Sequence, residues 1–153
     1  MFVGTVPDVN DEAMRVVRAL VEDVWNAGDL DALDSLFRDP FDHSGRMDTV
    51  EGLRDWHRAD AAAWRGTHYE VVEAVSNGNT VAIRWRATAR HVGVWGPVPA
   101  SGREVTWEGA HFVTVEDGRI CRMWALGDTF GKARQLGVRF ESPSGPPDDA
   151  QPA

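Results

Sequence analysis

The hydrophobic positions of this chain change from a helical to a strand-like period near residue 66. Between Asp11 and Asn26 the apolar residues Met14, Val17, Leu20, Val21, Val24 and Trp25 recur at steps of three and four, the spacing of one helix face. Gly28 is a stop signal and Asp29 a cap for a second, shorter helix, LDALDSLF, which buries Leu30, Leu33, Leu36 and Phe37. The segment RDPFDHSGRMD breaks the regularity with Pro40 and Gly45. A third helix runs from about Thr49 to Trp64, with Val50, Leu53, Trp56 and Trp64 on its apolar side. After Gly66 the residues alternate. HYEVVEAV and TVAIRWRATARH flank SNGN, and Asn-Gly between two such runs signals a hairpin. A loop rich in Gly and Pro, VGVWGPVPASG, leads into the strand VTWEGAHFVTVED, the turn EDGR and a last strand, ICRMWAL. A short helix from about Thr129 to Leu136 closes the fold, and SPSGPPDDAQPA has the composition of a flexible tail.

Three helices followed by four antiparallel strands define an α+β class. A single sheet must cover its apolar face with the helices. If the sheet curves strongly, the two layers enclose a cone-shaped hollow instead of a solid interior. The expected architecture is therefore one curved antiparallel sheet wrapped by the N-terminal helices around a cone-shaped pocket. Residues 1–142 form that single domain, and 143–153 form the tail.

One strand raises a chemical question. Val105, Trp107, Gly109, His111, Val113 and Val115 share a face, with a histidine in the middle of apolar neighbours. His111 has two readings, a hydrogen-bonded core residue or a proton donor and acceptor at the bottom of a pocket.

Composition narrows the partners. The 153 residues carry 24 acidic against 16 basic side chains, a net charge of -8, which argues against nucleic acid or an anionic membrane as partner. A hydrophobic share of 42% and a charged share of 26% are ordinary for one globular domain. Cys121 stands alone, so no disulfide forms within the chain. No run reaches membrane-spanning length, and the start lacks the pattern of a secretory signal. The expectation is a soluble cytoplasmic protein. The histidines show no H-x-H or H-x-x-x-H spacing, so no metal is expected.

Several stretches carry a family resemblance: VEDVWNAGDLDALDSLF followed by FDHSG, then RHVG with PVPASGREVTWEGAHFVTVEDGRI, and the ending GDTFGKARQLG. Together they resemble the SnoaL-like polyketide cyclases, a branch of the nuclear transport factor 2-like cone fold, over about residues 14 to 137. The resemblance implies a cofactor-independent enzyme of natural-product (antibiotic) biosynthesis acting on a bulky, polyketide-like small molecule. It also implies a homodimer or homotetramer. Ring closure by intramolecular aldol condensation is the best-known activity of that family, and relatives of the same fold include hydroxylases, epoxide-opening enzymes and ketosteroid isomerases. The same fold also carries proteins that only bind ligands. In the aldol cyclases the acid/base aspartate lies on the last strand, five residues after the isoleucine of the DGKI-type turn. Here that position is Ala125.

With the resemblance, His111 is the first catalytic candidate. Asp128 is the second, although it follows Gly127 and precedes a helix, which equally describes an N-cap. His91 shares a strand face with Ile83 and Trp85 and is a candidate for the same cavity or its rim. His43, in FDHSG, is expected near the mouth. Trp85, Trp95 and Trp107 are candidates for stacking on a flat ligand, with Gly109, Met123 and Ala125 as pocket wall. His57 and His68 are expected at the surface, and Arg84 and Arg86 on the outer sheet face, solvated or in a dimer interface.

Overall fold

The structure, a computed structural model, describes residues 12–141. The expected tail at 143–153 and the first residue of the expected first helix, Asp11, lie outside the described residues.

The first helix forms as expected but in two parts: α1 (Glu12–Ala19), then wider π-helical turns over Leu20–Asn26. Such widened turns re-aim side chains, and these end in two that face the sheet. Trp25 packs on Tyr69 at a ring distance of 5.0 Å, and the Asn26 side chain clasps the Tyr69 backbone, donating to its carbonyl (3.0 Å) and accepting from its N–H (2.7 Å). Asp29 then caps the next turn, accepting from the Asp31 and Ala32 N–H groups. A 3-10 turn over Leu30–Ala32 runs into α2 (Leu33–Leu36).

RDPFDHSGRMD departs from the expectation of an irregular break. It forms two strands, β1 (Phe37–His43) and β2 (Arg46–Asp48), joined by a turn at Ser44 and Gly45. Pro40 is tolerated because it falls between Phe37 and Asp42, where the pairing of β1 with its neighbour shifts register and needs no ladder N–H. Thr49 caps α3 (Val50–Ala63) by accepting from the Gly52 N–H at 3.0 Å, and Arg54 ties α3 to α2 through Asp34 at 2.9 Å.

Four long strands follow: β3 (Trp64–Asn77), β4 (Thr80–His91), β5 (Glu104–Glu116) and β6 (Arg119–Gly127). The sheet therefore has six strands in the order β2-β1-β6-β5-β4-β3, antiparallel except for the β1–β6 pair. The SNGN hairpin closes as expected, with Asn77 opposite Thr80. In EDGR, Asp117 and Gly118 both take positive φ, as a two-residue turn with the twist of the flanking strands requires. Register shifts within β3–β4 and β5–β6 bend the sheet. The short helix α4 (Thr129–Gln135) closes one end.

The concave face packs against α1, its π-helical extension and α2. Val17, Leu20, Leu33, Phe37, Phe41, Val81, Val113 and Ile120 are all fully buried there. Each such side chain contributes about 1.5–3 kcal/mol relative to exposure. That packing fills one end of the cone and leaves the other end hollow. No described helix is long and apolar enough to cross a membrane.

Candidate active site

The hollow end is a cavity of about 310 Å³. Trp85, Trp107, His111, Met123 and Ala125 reach it from β4, β5 and β6. Trp25 and Tyr69, with Trp56, His57 and Asp60 of α3 and Thr129 and Lys132 of α4, complete its lining. A neighbouring cavity of about 470 Å³ shares Trp25, His57, Asp60 and Tyr69 with it.

His111 is held from two sides. Its ring packs on Trp25 at 4.8 Å, and its Nδ1 lies 2.8 Å from the Trp85 Nε1. An indole nitrogen only donates, so Nδ1 must accept. A neutral imidazole that accepts at Nδ1 carries its proton on Nε2. That nitrogen has no partner among the described residues and is not sealed from the cavity. Burial, reinforced by the neighbouring His43 and His57, lowers the His111 pKa to about 4. At neutral pH the side chain is therefore an uncharged Nε2–H donor. The sequence-based expectation of a group that both gives and takes a proton narrows to a donor.

Gly109 makes this arrangement possible. A Cβ there would stand 2.2 Å from the Trp85 ring and 2.6 Å from the Leu126 carbonyl. Gly109 does not line the cavity, contrary to its placement as pocket wall. It seats the indole that orients His111. Gly109→Ala is expected to cost about 1–3 kcal/mol of stability, the usual cost of overpacking. Denaturant unfolding monitored by tryptophan fluorescence measures it.

The α3 side of the cavity corrects the expectation for His57. It sits one turn after Leu53 on the inward face and lines the cavity, and burial lowers its pKa to about 4. Trp56, expected in the core, is 55% exposed at the cavity edge. Asp60 follows His57 by one further turn. Its carboxylate has neither a hydrogen bond nor an ion pair among the described residues, and burial raises its pKa against the pull of Lys132. Burial and the nearby Asp60 likewise raise the Tyr69 phenol, which stays protonated.

Lys132 occupies a cage of three indoles. Its Nζ lies 3.9 Å from the Trp107 ring centre, 4.0 Å from Trp64 and 5.1 Å from Trp95. Such contacts favour the ammonium by about 0.5–2 kcal/mol each. Burial works against them, lowering the pKa to about 8.

The remaining candidates divide. His43 lines the cavity, held by Asp48 through Nδ1 (3.1 Å), and that hydrogen bond keeps the Asp48 carboxyl below its usual range. The turn that follows is docked by Ser44, whose N–H donates to the Met123 carbonyl (2.9 Å) and whose Oγ accepts from the Ala125 N–H (3.1 Å). Trp95 also lines the cavity. Two candidates do not. His91 is fully buried behind Trp64, ring distance 4.9 Å, with Nδ1 on the Ser101 hydroxyl. Asp128 is exposed and caps α4, accepting from the Gly131 N–H at 2.7 Å. His68 is exposed, and Arg84 and Arg86 form ion pairs with Glu73 and Glu108 on the outer face. Among the described residues no group of three or more His, Cys, Asp or Glu is placed to hold a metal.

The buried neutral histidines set an acid limit on stability. Their folded pKa values lie below the ordinary 6.5, so the unfolded chain binds protons first. The histidine contribution to stability is expected to fall as pH drops from about 6.5 toward 4 and to level off below that. The thermal midpoint across that window, less steep in His57→Leu than in the natural chain, is the measurement.

A family model described as SnoaL-like polyketide cyclase matches residues 15–136. The chain belongs to the SnoaL-like polyketide cyclase family. It is 29% identical over 137 residues to the aklanonic acid methyl ester cyclase DnrD of Streptomyces peucetius, covering 85% of this chain and 94% of that one. A SnoaL-like polyketide cyclase from Agrobacterium tumefaciens superposes with a TM-score of 0.72 at 26% identity, over 82% of this chain and 98% of the other. TsrD from Streptomyces laurentii gives 0.75 at 25% identity, over 84% and 96%. In this SnoaL-like chain the strand position facing His111 is Ala125, which has no titratable group. The cavity's free polar groups come instead from β5, α3 and α4.

Asp60 and Lys132 went unnoticed in the sequence. The signal for Asp60 was the step Leu53, His57, Asp60 along one helix face; for Lys132 it was the scarcity of lysine.

Proposed function

We propose that this chain is a cytoplasmic, cofactor-independent cyclase that closes a ring in a bulky, mostly apolar polyketide intermediate by intramolecular aldol addition. The relatives named as aklanonic acid methyl ester cyclases support a polyketide methyl ester as the substrate class. Trp25, Trp85, Trp107 and Met123 hold one folded conformer, bringing the reacting carbons together. Positioning of this kind removes up to ~7–11 kcal/mol of barrier. His111 donates its Nε2–H to the acceptor carbonyl oxygen, where negative charge develops as the bond forms. Asp60 takes the proton from the activated carbon, a role for which a buried, unpartnered carboxylate of raised pKa is suited. Asp60 thereby replaces the strand aspartate absent at Ala125.

The observation that carries this reading is the Trp85 to His111 hydrogen bond, because it leaves a neutral donor facing an apolar cavity. Aldol addition within one molecule is mass-neutral. Incubation with aklanonic acid methyl ester should give an isomer with a new retention time and unchanged mass. Quenching of tryptophan fluorescence by that ester without any conversion would make the protein a binding module.

Assembly follows the same reading. Phe112 and Trp124 pair at 5.7 Å on the convex face and remain 50% and 42% exposed, and we infer a homodimer through that face. Phe112→Asp should shift a dimer to monomer in light scattering.

A further inference from the structure

Of the 16 lysine and arginine residues, Lys132 is the sole lysine. Arginines carry out the usual tasks of a basic side chain here: Arg38, Arg58, Arg84 and Arg86 pair with carboxylates at the surface, and Arg134 shares the last turn of α4 with Lys132. Lys132 does neither task in the usual way. It is 7% exposed, forms no ion pair among the described residues, and borders the cavity. An arginine would serve a helix terminus equally well without being buried. An amine differs from a guanidinium in one chemical respect: it can shed its proton and become a nucleophile.

We propose that Lys132 captures a ketone of the substrate covalently, condensing with it to an iminium inside the tryptophan cage. This step rests on the ring-closure reading for its substrate class but is separable from it by experiment. The Nζ lone pair attacks the carbonyl carbon, a C–N bond forms, and the carbonyl π pair moves to oxygen. Two of the three ammonium protons end on that oxygen, which departs as water while nitrogen's pair forms the C=N bond. Asp60, which shares the cavity and feels the charge of Lys132, relays these protons. It next removes a proton from the carbon beside the iminium, giving a neutral enamine. The enamine carbon bonds to the second carbonyl, whose oxygen receives the proton back with His111 as hydrogen-bond donor. Water then adds to the iminium, and the C–N bond breaks to restore amine and ketone. The geometry suits the step: indole faces stabilise the cationic iminium as they do the ammonium. Nitrogen carries one positive charge both as the starting ammonium and as the final iminium, so the condensation adds no net charge to the cage.

The test uses 1-phenylbutane-1,3-dione, an apolar aromatic diketone that condenses with a reactive amine to a vinylogous amide absorbing in the near ultraviolet. The full chain should gain one diketone less one water by intact mass, with the label mapped to Lys132. Labelling should run at least about tenfold faster than on a free lysine amine, as expected of an activated amine in a preformed pocket. Lys132→Arg keeps the positive charge and should lose the adduct while still binding the diketone, read by tryptophan quenching. Lys132 unlabelled in the natural chain, or labelled no faster than free lysine, overturns the proposal without reliance on any variant. If the natural chain and Lys132→Arg close the ring of the polyketide ester equally, capture is overturned and ring closure stands. An adduct at Lys132 together with no ring closure supports capture and removes the ring-closure reading.

Discussion

Asp60→Asn is expected to lower kcat for ring closure by roughly 10²–10⁴-fold, the usual contribution of a general base. The amide has the same shape and cannot accept the proton. The carboxylate makes no hydrogen bond or ion pair among the described residues, and burial disfavours its charge. Removing that charge should leave the unfolding midpoint unchanged or raised, as is common where a group is retained for activity at the expense of stability. A merely structural Asp60 would show the opposite pattern, with lost stability and preserved turnover. Steady-state kinetics and thermal unfolding on one preparation separate the two, and KM should move little, because proton removal belongs to the transition state.

His111→Phe is the second large effect. Loss of one donor to a developing oxyanion costs about 10²–10³-fold in kcat. The ring volume is kept, so the wall of the cavity survives. Trp85→Phe should lower kcat by a smaller factor, because it frees Nδ1 and lets the imidazole redistribute between tautomers. The double variant decides the mechanism. If Trp85 acts through His111, the pair is non-additive and Trp85→Phe adds almost nothing once His111 is gone. Additive losses would mean that Trp85 contributes by contact with the substrate alone. Gly109→Ala belongs to the same cycle, since the added methyl meets the indole at its ring edge.

The periodicity of the chain was enough to place the N-terminal helices and the four long strands, which carry a 3.6- or 2-residue repeat, although Phe37, expected at the end of the second helix, opens β1. It failed at β1 and β2. There Pro40 and Gly45 suppress every local strand signal, and only the pairing of β1 with β6 and of β2 with β1 makes the strands. The site was legible where alternation speaks for itself. His111, Trp85, Trp107, Met123 and Ala125 fall on inward strand positions and do reach the cavity. It was illegible where two elements meet. His91 has the same parity as Trp85 but lies at the strand end, where Trp64 from the start of β3 covers it. Asp128 turned on competition between the cap and the cavity, and the backbone N–H of Gly131 won. His57 and Asp60 are polar residues on a helix face whose neighbour is a void, so no apolar stripe marks them. Lys132 reaches the tryptophan cage from α4 across residues distant in sequence, and no short motif encodes that meeting.

Everything proposed for ring closure depends on His111 presenting a neutral Nε2–H to the cavity. Nitrogen-15 NMR of histidine-labelled protein reads protonation and tautomer directly. The resonances of His111, assigned by their loss in His111→Phe, should show the Nε2–H tautomer and remain neutral as pH falls from about 7 to 5. An Nδ1–H tautomer, or an imidazolium forming near the ordinary 6.5, would contradict the account.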